Sequence, residues 1–200
     1  MKQRKYQLKK RAEKQEETRQ RIVRAISDLH RTVGPAATTV SAVAEQAGVQ
    51  RLTVYRHFPD EEAMVAACGA DWLKRYPLPA PGEWTSIEDA GARTEAAFAE
   101  LYRYYADTAD MMDNIFRDAP KVPALQQAME EMAGYYEACR SVLLEPWGVE
   151  GATKELTGAA IGAALEFGPW QALARQGLDP ERAAALMTQF VRYTAKEGSG

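Results

Sequence analysis

The segment SAVAEQAGVQRLTVYRHF, residues 41 to 58, decides the fold of the N-terminal part of the chain. Thr39 stands before its small apolar residues in the position of a helix N-cap, and Gly48 suits the left-handed conformation of a tight turn. A second short helix then runs from Gln50 or Arg51 to His57. Helix, glycine turn and short helix form the helix-turn-helix pattern. We expect the interior of this corner to consist of Val43, Ala44, Ala47, Val49, Leu52 and Phe58.

The polar residues of the second helix have the chemistry of a DNA-reading surface. An arginine forks onto guanine, a glutamine pairs with the edge of adenine, and a threonine methyl meets the methyl group of thymine. Hydroxyl and imidazole groups, and the N–H groups at a capped helix start, bind phosphate oxygens. The alternative is a tight helical corner within a core, with Tyr55 and His57 as surface groups. On the first interpretation the base contacts are Gln50, Arg51 and Thr53, and the phosphate contacts are Thr39, Tyr55 and His57.

Helices on both sides of this segment are predicted by apolar spacing and capping residues. An amphipathic helix over residues 16–32, ended by Gly34 and Pro35, has its apolar stripe at Ile22, Ile26, Leu29 and Val33. Asp60 is placed to cap a fourth helix over residues 60–76. Residues 77–86 contain three prolines and one glycine, which indicates a linker.

The remainder of the chain lacks the alternating pattern of strands and is rich in helix-forming residues. We predict further helices at 87–108, 110–118, 121–145, 152–176 and 180–196, which makes an all-α fold of about nine helices. The predicted regions are a basic extension (1–15), a DNA-binding domain (16–59), a connecting helix (60–76), the linker (77–86), a ligand-binding and dimerisation domain (87–196) and a tail (197–200).

The charge is unevenly distributed along the chain. Residues 1–60 hold 13 basic and 6 acidic side chains, a net charge of +7, while residues 61–200 carry −10. This asymmetry suggests that only the N-terminal part approaches a polyanion, although a solvated basic helix face gives the same composition.

Composition also disfavours several classes of protein. No apolar run approaches the roughly 18 residues of a membrane span, and the basic N-terminus lacks the apolar stretch of a signal peptide. We therefore expect a cytoplasmic protein with no membrane partner. Cys68 and Cys139 lie far apart and outside metal-binding spacings. We expect buried free thiols rather than redox sensors, and no metal or other cofactor.

Residues 38–65, TTVSAVAEQAGVQRLTVYRHFPDEEAMV, resemble the DNA-binding signature of the tetracycline-repressor (TetR) family of bacterial transcriptional regulators. The resemblance covers about residues 18–64. It implies a three-helix DNA-binding domain, a connecting helix, and a helical regulatory domain whose last two helices form the four-helix bundle of a dimer. Position-specific agreement occurs at Thr39, Val43, Ala44, Ala47, Gly48, Val49, Tyr55, His57 and Phe58.

The sequence departs from the family pattern at two positions. Many members have a lysine at the start of the fourth helix, where this chain has Glu61, and a long polar residue in the second helix, where it has Ser41. Because a carboxylate repels phosphate, we assign no phosphate contact to Glu61. The basic extension compensates as an arm on DNA, or it is a disordered solubilising tail. The residues of that arm are Arg4, Lys5, Lys9, Lys10 and Arg11.

Aromatic and methionine residues gather in the middle helices of the acidic region. Such side chains line adaptable apolar pockets, and they also fill ordinary cores. As a pocket, they would accept a small-molecule effector that is largely apolar or aromatic. The pocket residues on this interpretation are Tyr102, Tyr105, Met112, Phe116, Met132, Tyr136, Phe167 and Trp170.

The last two predicted helices carry small residues that allow close helix approach, together with apolar residues at helical spacing. We expect them to form the interface of a homodimer, with packing inside one chain as the alternative. The predicted interface residues are Gly158, Gly162, Leu165, Leu186 and Phe190.

The combined prediction is a homodimeric regulator that binds double-stranded operator DNA. We expect a repressor that a small-molecule effector releases from a near-palindromic operator. The alternative is an activator, which would act through the same helices. An enzyme is disfavoured, with no catalytic residues assigned, because the sequence lacks a metal-ligand spacing, a nucleophile elbow and a phosphate loop. A sequence-independent DNA-binding protein would leave the acidic region without a role.

Overall fold

The computed structural model describes residues 2–197, without the side chains of residues 2–5, 8 and 197. Within that range the chain is all-α, which confirms the predicted fold class, and no residue there is in a strand. The nine α-helices of the described residues are α1 (Lys2–Thr32), α2 (Val40–Ala47), α3 (Arg51–His57), α4 (Glu61–Arg75), α5 (Ala90–Asp118), α6 (Gln126–Leu144), α7 (Gly151–Leu165), α8 (Phe167–Arg175) and α9 (Pro180–Glu197). Four 3-10 turns lie at Pro35–Ala37, Pro81–Ser86, Pro123–Leu125 and Glu145–Trp147.

The helix count agrees with the prediction, but several helix boundaries do not. The helices predicted at 87–108 and 110–118 are one continuous helix, α5, because no glycine or proline interrupts residues 106–112. The helix predicted at 152–176 is divided into α7 and α8 at Glu166, whose backbone is extended. Pro169 explains the break, because its missing N–H and its ring are incompatible with a continuous helix there. The first helix begins at Lys2 rather than at residue 16.

The chain divides into two compact units. We call Met1–Arg75 with Asp110–Ala128 the N-terminal unit, and Tyr76–Ala109 with Met129–Gly200 the C-terminal unit. This division differs from the sequence-based boundaries, because residues 110–128 fall in the N-terminal unit rather than in a domain over 87–196. Helix α5 therefore contributes residues to both units.

The core of the N-terminal unit forms where α1 packs against α2 and α4, and α2 against α3. Ile22 and Ile26 of the predicted stripe are fully buried, but Val33 is 46% exposed, so its predicted core position is wrong. Val33 follows the last residue of α1 and no longer shares the helical face of the stripe. The remaining large core side chains of this unit include Val43, Val54, Phe58, Val65, Cys68 and Trp72.

A polar clasp closes the C-terminal end of α1. The last carbonyl groups of a helix have no partner within it, and here Asn114 Nδ2 donates to the carbonyl oxygens of His30 and Arg31 at 3.1 and 2.7 Å. Arg117 Nη2 donates to the carbonyl oxygen of Val33 at 3.1 Å. Asp118, only 2% exposed, accepts hydrogen bonds from Arg117 Nε and from the backbone N–H of Ala36. We call Asn114, Arg117 and Asp118 the α5 clasp.

His30 is buried beside the clasp, and burial lowers its pKa to about 4, although Asp118 opposes the shift. In the unfolded chain this imidazole is protonated below about pH 6.5, whereas the folded chain resists protonation until about pH 4. The free energy of unfolding is therefore expected to fall by about 2 to 3 kcal/mol from His30 alone as pH decreases through this window. Denaturation of wild type and His30→Gln between pH 7 and 4 measures it: the variant should have the shallower pH dependence, and equal slopes would contradict the assignment.

The C-terminal unit is organised around α7, which packs against α8 and α9. Arg93, 6% exposed, connects the start of α5 to its surroundings by donating to the carbonyl oxygens of Ile87, Thr85 and Val142. Trp84, within the segment predicted as a linker, is buried and donates to Glu100 at 2.7 Å. Residues 81–86 are therefore part of the packed unit.

Two tyrosines of α5 satisfy the helix break between α7 and α8. Tyr102 donates its hydroxyl to the carbonyl oxygen of Ala164 at 2.8 Å, and Tyr105 donates to that of Leu165 at 2.5 Å. In a continuous helix the N–H of residue 169 would serve Leu165, but Pro169 has none. Tyr102 and Tyr105 are fully buried, and burial raises the pKa of both hydroxyls well above the usual range. They remain neutral donors at any physiological pH.

Candidate nucleic-acid interface

The turn between α2 and α3 forms as its residues predict. Thr39 Oγ1 accepts a hydrogen bond from the N–H of Ala42 at 3.1 Å, which caps α2. Gly48 has φ 64° and ψ 42°, the left-handed region that glycine enters without steric cost. The N–H of Val49 returns to the carbonyl oxygen of Ala44 at 2.9 Å and closes the end of α2. This turn sets the direction in which α3 leaves the corner.

Helix α3 is held by Val54 and Phe58, which are 0% and 2% exposed. Arg19 of α1 lies over the Phe58 ring, with Cζ 5.3 Å from its centroid. Leu52, predicted as part of the core, is 67% exposed, and that prediction is wrong. The buried face of α3 contains Val54 and Phe58, which are four residues apart. The prediction instead placed Leu52 and Phe58 on one face, at two successive spacings of three residues.

The residues predicted to contact DNA lie on the outside of this corner. Gln50 and Arg51 are exposed at the start of α3, and Tyr55 is 46% exposed. Thr53 and His57 are half-buried, and Thr39 is exposed at the start of α2. Arg56, which the sequence analysis did not select, is exposed on the same helix. Its position two residues before buried Phe58 is the signal that would have identified it.

Helix α4 begins with an acidic first turn. Asp60 Oδ1 accepts from the N–H of Ala63 at 2.8 Å, as its predicted capping role requires, and Glu61 and Glu62 follow in the first turn. Both glutamates are exposed. The carboxylates suit the positive end of the helix dipole, so their effect here is to stabilise α4.

The predicted basic arm is helical over the described residues. Helix α1 includes residues 2–15, and Lys9, Lys10 and Arg11 are exposed on it. Lys9 Nζ lies 3.9 Å from Glu13 Oε1 in a long, exposed ion pair. Arg4 and Lys5 have their backbones in α1, but their side chains lie outside the described part of the structure.

The residues predicted as an effector pocket do not all come together in one unit. Met112 and Phe116 lie in the N-terminal unit. In the C-terminal unit, Tyr105 packs against Phe167 and Trp170 with ring centroids 5.4 to 5.6 Å apart. The hydroxyl groups of Tyr105 and Tyr136 are 2.9 Å apart, and Tyr136 and Met132 are half-buried. We call Tyr102, Tyr105, Tyr136, Phe167 and Trp170 the aromatic cluster.

One polar atom of the aromatic cluster has no hydrogen-bond partner. Trp170 is 5% exposed, and its Nε1 is buried without an acceptor in the described part of the chain. A separate open groove of about 450 Å³ in the same unit is lined by Arg140, Ser141, Leu144, Glu145, Gly148, Val149 and Lys154. No residue of the aromatic cluster is among those seven.

Two of the five predicted dimer residues, Gly158 and Leu165, are buried within their own unit. Leu165 is fully buried, and a Cβ added to Gly158 would lie 3.0 Å from Arg140 and 3.2 Å from Leu144. Gly162 is half-buried and also faces Arg140. Burial within the unit contradicts the predicted interface roles of Gly158 and Leu165, because the side chains of Arg140 and Leu144 from α6 cover Gly158 and Leu165 is in the core. The interface role of Gly162 stays a prediction. Leu186 and Phe190 are exposed, at 38% and 55%, and Tyr193, one further turn along α9, is 60% exposed.

No helix among the described residues is long and apolar enough to cross a membrane, and no group of three or more potential metal-ligating side chains occurs in residues 2–197. Cys68 and Cys139 are both buried and free, as predicted.

The N-terminal part of the chain matches a known protein family. The family model for bacterial regulatory proteins of the tetR family matches residues 22–68, which contain α2, the glycine turn and α3. A search of curated protein sequences finds no match.

Solved structures share the fold over most of the chain. NalD of Pseudomonas aeruginosa, the secondary repressor of the MexAB-OprM multidrug efflux pump, superposes with a TM-score of 0.61 at 20% identity, covering 91% of this chain and 97% of NalD. A protein of Clostridium perfringens assigned to the regulation of fatty acid metabolism gives 0.62 at 14% identity, with 86% and 96% covered. A tetR-family regulator of Streptomyces coelicolor gives 0.56 at 20% identity, with 90% and 79% covered.

The motif, the geometry of the corner and the family model therefore agree. Residues 22–68 match the tetR family of bacterial regulatory proteins and form its helix-turn-helix domain, and the chain as a whole has the fold of solved tetR-family regulators.

Proposed function

We propose that this regulator is a homodimeric repressor that occupies a near-palindromic operator and is released by a small-molecule effector. The observation that carries the proposal is the outward face of α3, on which Gln50, Arg51 and Arg56 are exposed. The opposite face of the helix is packed into the unit through Val54 and Phe58. A two-fold dimer presents two such helices to half-sites about one helical turn of DNA apart. NalD, which has the same fold, is described as a repressor, and this supports repression rather than activation.

Within each half-site we assign separate roles to the exposed side chains. Arg51 and Gln50, at the start of α3, reach base edges together with Thr53, because the first residues of a recognition helix enter the major groove. Tyr55 and His57 hold phosphate oxygens. At Thr39 the N–H groups at the start of α2 bind a further phosphate, since its own hydroxyl already caps the helix.

The helical N-terminal extension provides additional phosphate contacts. Its exposed Lys9, Lys10 and Arg11, with Arg4 and Lys5 beyond them, replace the lysine contact that Glu61 does not offer. Each phosphate contact steepens the salt dependence of binding, so removal of these charges makes the affinity less sensitive to salt without changing the preferred operator.

The effector binds in the C-terminal unit at the aromatic cluster. Support comes from its aromatic composition and from the unsatisfied Nε1–H of Trp170, which would donate to an acceptor on the ligand. Release requires that the effector bind more tightly to a conformation that does not fit the operator. A coupling of about 1 to 3 kcal/mol is typical of such systems.

Selection of bound duplexes from a random library tests the proposed operator binding. The full-length protein should enrich a two-fold symmetric sequence, and the half-site spacing reports the dimer geometry. Affinity for the selected duplex should exceed that for random duplex by at least about 1000-fold at physiological salt. Equal affinity for both would exclude a sequence-specific regulator.

Replacement of Arg51 by alanine should weaken operator binding about 10-fold to 100-fold and relax discrimination at one base pair per half-site. The reason is the loss of a forked contact to a base edge. Titrations of wild type and variant against operators substituted at each position measure both effects. Arg103→Ala in the C-terminal unit, which removes another exposed arginine, serves as the matched control. An unchanged base preference in Arg51→Ala would show that Arg51 does not read a base.

A further inference from the structure

Leu52 lies on the side of α3 opposite its buried residues. Residues two apart on an α-helix are separated by about 200° of rotation, so Leu52 is nearly opposite Val54, as Arg56 is to Phe58. Leu52 is 67% exposed, more than any other large apolar side chain of the described residues. A single exposed leucine is ordinary on a protein surface, but this one lies on the outward face of the helix that carries the DNA-reading residues.

The environment of Leu52 indicates what would cover it. The side chains before and after it on the exposed surface of α3 include Arg51 and Arg56, whose positive charges suit a polyanion such as duplex DNA. In the major groove the apolar group available at a base edge is the C5-methyl group of thymine. An apolar side chain flanked by arginines therefore matches a thymine methyl group that lies between phosphates in the major groove.

We propose that Leu52 is a specificity-determining residue that packs against the C5-methyl group of one thymine in each half-site. This inference rests on the proposed operator binding and adds a base contact beyond Gln50, Arg51 and Thr53. Thr53 is the competing methyl reader, but it is half-buried, and its methyl group is smaller than the leucine side chain.

Methyl deletion in the DNA, combined with deletion of the leucine side chain, tests the contact. Each thymine of the selected operator is replaced in turn by deoxyuridine, which lacks only the C5-methyl group. Binding is measured for the full-length wild type, Leu52→Ala, Thr53→Ser and, as a matched control, Leu73→Ala, which truncates an exposed leucine of α4. At one position we expect deoxyuridine to weaken wild-type binding about fourfold per half-site, the effect of one buried methyl group.

The same deoxyuridine substitution should have no effect on Leu52→Ala, while Thr53→Ser and Leu73→Ala keep the wild-type dependence. If wild type binds the operator but no deoxyuridine weakens it, the Leu52 contact is refuted and operator binding stands. If the dependence persists in Leu52→Ala and disappears in Thr53→Ser, Thr53 is the methyl reader and the inference is wrong. Failure of wild type to select any duplex would instead refute the proposed function itself.

Discussion

Replacement of Gly34 by alanine is expected to destabilise the N-terminal unit by about 4 kcal/mol. Gly34 has φ 93° and ψ 160°, a region that side chains other than glycine rarely enter, at a cost of about 1 to 3 kcal/mol. A Cβ at this position would also overlap Arg117 Nη2 and Asp118 Oδ2 of the α5 clasp. Forcing those groups aside costs about 1 to 3 kcal/mol and disrupts the contacts that close α1.

Hydrogen exchange of the α1, α2 and α3 amides measures this effect locally, and chemical denaturation measures it for the whole chain. Gly69→Ala is the matched control, because Gly69 is an exposed helical residue of α4 with open space around its Cα. That substitution should stabilise the same unit by about 0.5 to 1 kcal/mol. If both glycine substitutions changed the free energy of unfolding in the same direction, the backbone and the α5 clasp at Gly34 would not constrain the fold as described.

Replacement of Phe190 by aspartate should raise the dissociation constant of the proposed homodimer about 1000-fold. Leu186, Phe190 and Tyr193 follow one another at spacings of four and three on α9, so they form one exposed apolar stripe. Burial of a phenylalanine contributes about 2 kcal/mol, and a two-fold interface loses it in both copies, about 4 kcal/mol in total. Operator affinity should fall as well, because a single reading helix contacts only one half-site.

Sedimentation velocity over a range of concentrations measures the dimer, and operator titration measures the consequence for DNA binding. Gln189→Asp introduces the same charge on a neighbouring, exposed residue that is rotated by about 100° around α9. It should leave the dimer largely intact. A wild-type protein that remains monomeric would contradict the proposed dimer, while an undisturbed Phe190→Asp dimer would exclude this stripe as its interface.

The two predictions concern interactions of different kinds. Gly34 acts within one unit, where a backbone conformation and a hydrogen-bonded cluster depend on each other. Phe190 is proposed to act between two copies of the chain, through the exposed part of α9. Stability and association can therefore be measured separately with these two variants.

Local signals were sufficient for the helix-turn-helix corner. Thr39, Gly48 and Asp60 were predicted correctly because a cap or a tight turn depends on atoms within three or four residues. The same range explains the error at Leu52: in a seven-residue helix, spacings of three and four give different inner faces, and only contact with α1 and α2 selects between them. Val54 was overlooked for this reason.

Long-range contacts were not predictable from the pattern. The α5 clasp joins residues more than 80 positions apart, and nothing in the sequence around Asn114 identifies the carbonyl groups that it caps. Small residues in α7 were assigned to a dimer surface, but close helix approach has the same signature within a chain and between chains. Burial of Gly158 and Leu165 shows that, at these two residues, the packing is within the chain.

By itself, the sequence determined the all-α class, the helix-turn-helix corner and its family, because periodicity, capping and turn geometry are properties of neighbouring residues. Only the tertiary structure decided which side of α3 faces outward, which apolar residues of α9 remain exposed, and how Tyr102 and Tyr105 serve the helix break at Glu166. Those outcomes depend on which distant groups compete for the same buried space and the same hydrogen bonds, and spacing along the chain contains no record of that competition.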